Sequence, residues 1–303
     1  MEKNYHRWII MMGLICILLG LLSVEKLRMN SQGKTNNNKL SQDVVVTTSM
    51  TIAETTSKVS DLTSAEKFQS VFTSKETTTT IQELVQEIVV QDYNGNYIKA
   101  KPEILASITE QGQPLQELGA YVLPDNPALY VSNKTDQIDI PLILQKNPQW
   151  RRLAYGSDTS GQLGENGCAI VTLAMIHSYY QDQKQSPEDI LAWSGQDYYV
   201  DNEGTSWQIF YDFASSHGYE FENFGSNLDR AIEALATGRP VIASVIPGYF
   251  TQEGHILVIR GYDGEKFYVN DPNDDPEKMH SLQGIDKQIF LDEGINYWTI
   301  YSE

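Results

Sequence analysis

From Cys168 onward the hydrophobic period of this chain changes once, and that change restricts the architecture open to it. Helical patterns come first. Residues 168–180 place Ile170, Leu173, Ala174 and Met175 at helical spacing, which predicts one inward face. Ser186-Pro187-Glu188-Asp189 has the form of a helix start: a capping Ser, Pro at the first position, then acids in the first turn. That helix ends near Trp193-Ser194-Gly195. A third spans 206–216 and stops at Gly218, and a fourth spans 227–237 and stops at Gly238. Strand patterns follow at 240–246, 255–261, 266–270 and 297–301, with Asp263-Gly264 as a hairpin signal. Helices first and an antiparallel sheet afterwards predict an α+β fold with the helices packed on the sheet.

The N-terminal half reads differently. Lys3, His6 and Arg7 precede an uncharged run over 8–24 that ends at Glu25-Lys26, at the lower edge of what crosses a bilayer. Leu22-Ser23-Val24 is a poor cleavage site and Cys16 lies deep in the run without a lipobox. Residues 1–29 therefore read as an uncleaved signal anchor, which makes the protein a single-pass membrane protein with its remainder outside the cell. Cleavage of the segment would make it secreted. Residues 30–80 turn to Ser, Thr, Asn, Gln and Lys, with Asn36-Asn37-Asn38 and Thr77-Thr78-Thr79-Thr80 as low-complexity marks. Such a stretch buries too little apolar surface to offset its ordering entropy and predicts a disordered linker. Residues 81–137 predict a small β-rich region, since an apolar run over 81–90 is followed by Asn94-Gly95, a strong hairpin dipeptide. The informative domain covers 138–303.

The formal net charge is −18, and it is uneven, since residues 1–40 carry six Lys/Arg against two Asp/Glu. A phosphate backbone needs Lys and Arg to neutralise it, so a nucleic-acid partner is excluded. The two cysteines, Cys16 and Cys168, do not make a disulfide scaffold when one lies in the apolar run. An unpaired cysteine in an exported protein calls for a reason. Catalysis is one, and a buried structural thiol is the other.

Cys168, His255 and Asp271 occur in the order nucleophile, base, orienter of a thiol enzyme. Cys168 opens its helix behind Gly167, where unpaired N–H groups and the positive end of the helix dipole favour a thiolate. His255 opens a strand behind Gly254, and Asp271 follows one hairpin later, so the two strand ends come alongside each other. An oxyanion donor is expected upstream of the nucleophile, and Gln162, Gln145 and Gln149 are all open to that role. The other histidines have poorer settings. His6 lies in the signal region, His177 is half a turn out of phase with Cys168, His217 reads as a C-terminal cap before Gly218, and His280 sits in an acidic loop. No helix offers paired metal ligands, and no cofactor site is expected.

Gln145-Lys146-Asn147-Pro148-Gln149-Trp150, Tyr155-Gly156, Gly167-Cys168 through Ala174-Met175, Gly238-Arg239-Pro240-Val241-Ile242, Gly254-His255 and Asn270-Asp271-Pro272 together resemble cysteine peptidase family 39. These are papain-fold peptidases that remove double-glycine leaders from bacteriocins, and the likeness is greatest to their stand-alone surface members. The resemblance implies a papain-like fold, a Cys168 nucleophile, a His255 base, an Asp271 orienter and a Gln162 oxyanion donor. Family members usually carry Gly directly after the nucleophile, where this chain has Ala169, which still supplies its N–H. No Walker-type loop accompanies the domain, so a transporter-fused arrangement is not expected.

The expected function is therefore that of a membrane-anchored, extracytoplasmic cysteine peptidase acting on a peptide or protein substrate, with cell-wall peptide as one candidate. Two alternatives remain open: a catalytically silent papain-like surface binding protein, and a cell-wall peptide amidase.

Overall fold

The computed structural model describes residues 62–109, 115–131, 137–157, 160–201 and 203–302. The signal anchor expected over 1–29 and most of the linker expected over 30–80 lie outside the described residues. Among the described residues no helix is long and apolar enough to cross a membrane.

Local chemistry defines the helices. Helix α1 (Ser64–Thr73) starts on a capping box, in which Thr63 and Glu66 each satisfy the other's backbone N–H. Helix α2 (Thr78–Tyr93) is capped by the Thr77 side chain, and α3 (Tyr97–Thr109) follows after a short link. A single turn, α4 (Gly119–Val122), comes next. Phe68, Val85, Val89, Ala100 and Ile104 of these helices are wholly buried in the same core as the domain that follows.

These helices correct two sequence expectations. Residues 81–93 and 97–109 are helical rather than β-rich. Ile81, Val85, Ile88 and Val89 are the buried positions of α2, a spacing of four and seven that belongs to a helix. Asn94 and Gly95 do adopt the two consecutive positive φ angles that a tight hairpin needs, +54° and +78°. Here that conformation caps the C-terminus of α2, with the Asn94 and Gly95 N–H groups donating to the Val89 carbonyl. The linker also ends earlier than expected, because residues 64–73 and 78–80 are helical and Phe68 is fully buried.

The second half follows the expected order closely. Helix α5 (Leu163–Asn166) is one turn that leads through Gly167 into α6 (Cys168–Gln181). Helix α7 (Pro187–Ser194) starts on Ser186 with Pro187 at its first position and Asp189 completing a capping box. A two-residue pair, β1 (Tyr199–Val200) and β2 (Gly204–Thr205), precedes α8 (Gln208–His217), which stops at Gly218 in the left-handed region. Strand β3 (Glu220–Gly225) and helix α9 (Leu228–Ala236) lead to β4 (Val241–Val245), β5 (His255–Tyr262) and β6 (Lys266–Asn270). The chain closes with β7 (Ile285–Asp286), α10 (Lys287–Glu293) and β8 (Gly294–Tyr301).

The larger sheet has the order β3-β8-β4-β5-β6-β7 with every pair antiparallel. Ile242, Ile256, Val258, Trp298 and Ile300 pack with the helical core on one face, and Val241, Ala243, Leu257 and Ile259 pack with α9 on the other. Both faces are covered, which is why β4 is buried at all five residues and reads as a continuous apolar run. Helix α6 lies in the interior. Ala169 to Ile176 are all buried, so it has no single inward face but is enclosed on every side except near its ends.

Candidate active site

The nucleophile candidate stands at a joint that only glycine permits. Gly167 ends α5 and caps α6, and a β-carbon there would collide with the Leu163 carbonyl and side chain. Cys168 is thereby set at the first position of α6, where backbone N–H groups have no partner inside the helix. The thiol is half-buried and unpaired. The approach segment is equally tight. A β-carbon on Gly156 would lie 2.8 Å from the Gly161 Cα, and Asn166 Nδ2 donates to the Tyr155 carbonyl across the same loop at 2.9 Å.

The sheet supplies the other two groups. His255 is the first residue of β5 and Asp271 directly follows β6, and the antiparallel pairing of these strands sets them side by side. His255 Nε2 lies 2.7 Å from Asp271 Oδ1, and both residues are buried. The Cys168 thiol interacts with the His255 imidazole and helps to raise it. Because Nε2 is committed to Asp271, Nδ1 is the nitrogen left for sulfur. Cys168, His255 and Asp271, far apart in sequence, thus form one connected line.

Electrostatics hold the His255–Asp271 pair in a charged form. Burial pushes the His255 imidazole down, but the adjacent Asp271 carboxylate outweighs it and holds the imidazole up at about 9. Burial likewise opposes ionisation of Asp271, yet His255 and hydrogen bonds from His255 and His280 keep its carboxyl well below the usual range. Asp274 goes the other way. Burial and the nearby Asp271 charge raise it to about 6, although it accepts from the N–H groups of Asp275, His280 and Ser281.

The three glutamines separate. Gln145 is buried and its Nε2 donates to the Gly164 carbonyl at 3.1 Å, which fixes it as a brace for α5. Gln149 is exposed beside Trp150, lining a cleft with Thr78 and Leu123. Gln162 is the residue that caps the start of α5, its carbonyl accepting from the Glu165 and Asn166 N–H groups at 3.0 Å each, and it is half-buried on the segment that enters Cys168.

His177 and His217 are elsewhere. His177 Nδ1 meets the Tyr219 hydroxyl at 2.8 Å, and His217 Nδ1 meets the Phe213 carbonyl at 2.9 Å in the last turn of α8, as its place before Gly218 predicts. His280 is not the bystander that its acidic loop predicts. Its Nδ1 lies 2.9 Å from Asp271 Oδ2, and it is buried. The sequence trace of this was the loop itself: the two are nine positions apart, with acids that bind the loop's own N–H groups.

Asp271, Asp274 and His280 bring ligand atoms within 4.8 Å of one another. Their oxygens are already engaged: Asp271 Oδ1 serves His255 and the Asn273 N–H, and both Asp274 oxygens serve backbone N–H groups.

Among solved structures the chain is similar to the peptidase domain of Streptococcus ComA, a bi-functional ABC transporter involved in quorum sensing. That match has 18% identity over 46% of this chain and 93% of that one, with a TM-score of 0.37. It is also similar to a C39-like peptidase from Bacillus anthracis (15% identity, 55% and 98% covered, TM-score 0.38). A third is a double glycine motif protease from an AMS/PCAT transporter in complex with the leader peptide (16% identity, 57% and 97% covered, TM-score 0.36). No curated protein sequence matches it. Residues 137–302 match the Peptidase_C39 like family, which takes in Cys168, His255 and Asp271 alike, and the chain belongs to that family.

Proposed function

We propose that this protein is a cysteine peptidase that cuts peptide bonds with Cys168 as nucleophile, His255 as general base and acid, and Asp271 as orienter. The observation that carries the reading is the connected line from a thiol at a helix N-terminus through a buried imidazole to a buried carboxylate. In the first half-reaction Cys168 Sγ attacks the substrate carbonyl carbon, and the resulting oxyanion is met by a first-turn N–H and the Gln162 amide. Collapse breaks the C–N bond, and His255 gives its proton to the departing amine, leaving a Cys168 thioester. Water then loses a proton to His255, attacks the thioester and releases the acid and the thiolate.

The apolar run over 8–24 supports an anchored protein whose peptidase domain works outside the cytoplasm on peptide or protein substrates. Alkylation by iodoacetamide at neutral pH tests the site. Cys168 is expected to react well above the rate of a free thiol of ordinary pKa, about 8.5. Cys168→Ser should abolish labelling at position 168 and cleavage of a diverse peptide library while leaving thermal unfolding nearly unchanged. A wild-type thiol of ordinary reactivity would favour a silent binding protein, and cleavage confined to wall peptides would favour the amidase.

A further inference from the structure

We propose that His280 is a positioning residue of this site: it clamps the second oxygen of Asp271 and so fixes the carboxylate plane that orients His255. The inference rests on the peptidase reading above and adds a fourth member to it. Asp271 is wholly buried, so no solvent is at hand to satisfy a free oxygen. Its Oδ1 receives His255 Nε2 at 2.7 Å and the Asn273 N–H at 2.8 Å. Its Oδ2 receives His280 Nδ1 at 2.9 Å. A carboxylate held through one oxygen is free to turn about its Cβ–Cγ bond, whereas one held through both is not.

His280 is itself held from three sides. Its N–H donates to Asp274 Oδ1 at 3.0 Å. Its ring stacks on Tyr249, with centroids 4.9 Å apart and planes 28° apart, and meets Phe250 edge-on at 5.3 Å. Tyr249 and Phe250 lie in the connection from β4 to β5, the segment that delivers His255. His280 therefore touches both the carboxylate and the loop leading to the base. The next residue closes the network: Ser281 Oγ accepts from the Asp271 N–H at 3.1 Å, and its carbonyl accepts from Arg260 at 2.8 Å. The charged and titratable groups facing His280 are Asp271, Asp274 and Tyr249, with His255 across the shared carboxylate and Lys278 acting on Asp271.

The competing role is that of a loop filler, in which the ring matters and the hydrogen bond does not. Two substitutions in the full chain separate these. His280→Phe keeps a ring against Tyr249 and removes the donor. His280→Asn gives up the ring and keeps an N–H donor at the position of Nδ1. Iodoacetamide labelling of Cys168 at pH 7 is expected to slow about tenfold in His280→Phe, the size of a lost hydrogen bond to a charged group, and to recover most of that in His280→Asn. A filler predicts the reverse order. Equal rates in wild type and His280→Phe, or a His280→Asn slower than His280→Phe, overturn the proposal.

A measurement on the wild-type chain needs no variant to fold. With its five histidines labelled with 15N, His280 should carry its proton on Nδ1 at neutral pH, since an ionised Asp271 only accepts. A proton on Nε2 alone overturns the clamp. If Cys168 is activated and His280 fails these tests, only the clamp falls. If wild-type Cys168 reacts as an ordinary thiol, the peptidase reading falls and the clamp with it.

Discussion

A β-carbon on Gly167 would stand 2.5 Å from the carbonyl oxygen of Leu163 and 2.6 Å from its Cγ. That carbonyl accepts the Gly167 N–H at 2.9 Å, so the same pair both ends α5 and forbids a side chain at the joint. The consequence is positional. The chain turns from one helix into the next within a single residue, and Cys168 falls at the exposed end of a helix whose body is buried.

Gly167→Ala should therefore cost stability and reactivity together. Overpacking against backbone costs about 1–3 kcal/mol, because the Leu163 carbonyl has no rotamer to retreat into. Chemical denaturation would measure that loss, and alkylation of the folded variant would measure the displacement of Cys168. A variant with wild-type values of both would mean that the joint is compliant.

The buried Asp271, Asp274 and His255 give stability a definite pH dependence. The stabilisation from His255, held up at about 9, is complete below its unfolded value of about 6.5 and fades as pH rises through 9. Asp274, raised to about 6, favours folding below its unfolded value of about 3.9 and loses that contribution as pH rises through 6. Asp271, held low, contributes above about 3.9 and fails only in stronger acid. These groups together should make denaturation midpoints decline from about pH 4 to pH 9. Asp274→Asn should flatten the lower part of that decline, and Asp271→Asn the part between 6.5 and 9. A midpoint that rises across this range would show that the three groups do not govern it.

The legible parts of the sequence were those in which one residue type does one local job. Ser186, Pro187 and Asp189 announce α7 because capping and a fixed φ act within one turn. Strands β4, β5 and β6 were legible because apolar runs between turn signals have few other uses. Asn94-Gly95 was ambiguous for a physical reason: left-handed backbone serves a hairpin and a helix C-cap equally, and the spacing of Ile81, Val85, Ile88 and Val89 was the better guide. Strand β3 alternates too weakly in EFENFG to stand out. Cys168, His255 and Asp271 were legible as an ordered set. His280 was not, because its bond to Asp271 depends on how an acidic loop folds over its own N–H groups.

The position of Phe68 decides where the chain can be shortened. Leu62 to Glu303 form one compact unit, and Phe68 of α1 is wholly buried in the shared core, stacked on Tyr93 with ring centroids 6.3 Å apart. A fragment starting at Leu62 should therefore keep the thermal midpoint of the full chain, whereas one starting at Ile81 should lose cooperativity. Phe68→Ala should cost about 3–5 kcal/mol in chemical denaturation, the usual loss for a buried aromatic. A fragment from Ile81 that melts as sharply as one from Leu62 would show α1 to be dispensable.

Asn270 and Asp271 are neighbours with separable jobs, and substituting each tests the division. Asn270 is wholly buried, and its Nδ2 donates to the Ile140 carbonyl at 2.8 Å while its Oδ1 accepts from Arg260 Nε at 2.9 Å. It ties β6 to the segment before α5 and shares the cost of a buried guanidinium, whose own value burial pulls down to about 9. Asn270→Ala strands the Ile140 carbonyl and removes one of the Arg260 acceptors, a loss of about 1–3 kcal/mol. It touches neither His255 nor Cys168, so labelling of the folded fraction should proceed at the wild-type rate. Asp271→Asn also disturbs a buried network, but in addition it deprives His255 of its carboxylate and of the charge that keeps the imidazole protonated. Labelling of its folded fraction should fall sharply, since loss of an orienting carboxylate reaches about 10⁴-fold in turnover in other triads. Measured below both unfolding transitions, a slow Asp271→Asn beside a fast Asn270→Ala assigns Asp271 to the chemistry and Asn270 to the scaffold. Equal slowing in the two would remove Asp271 from the mechanism.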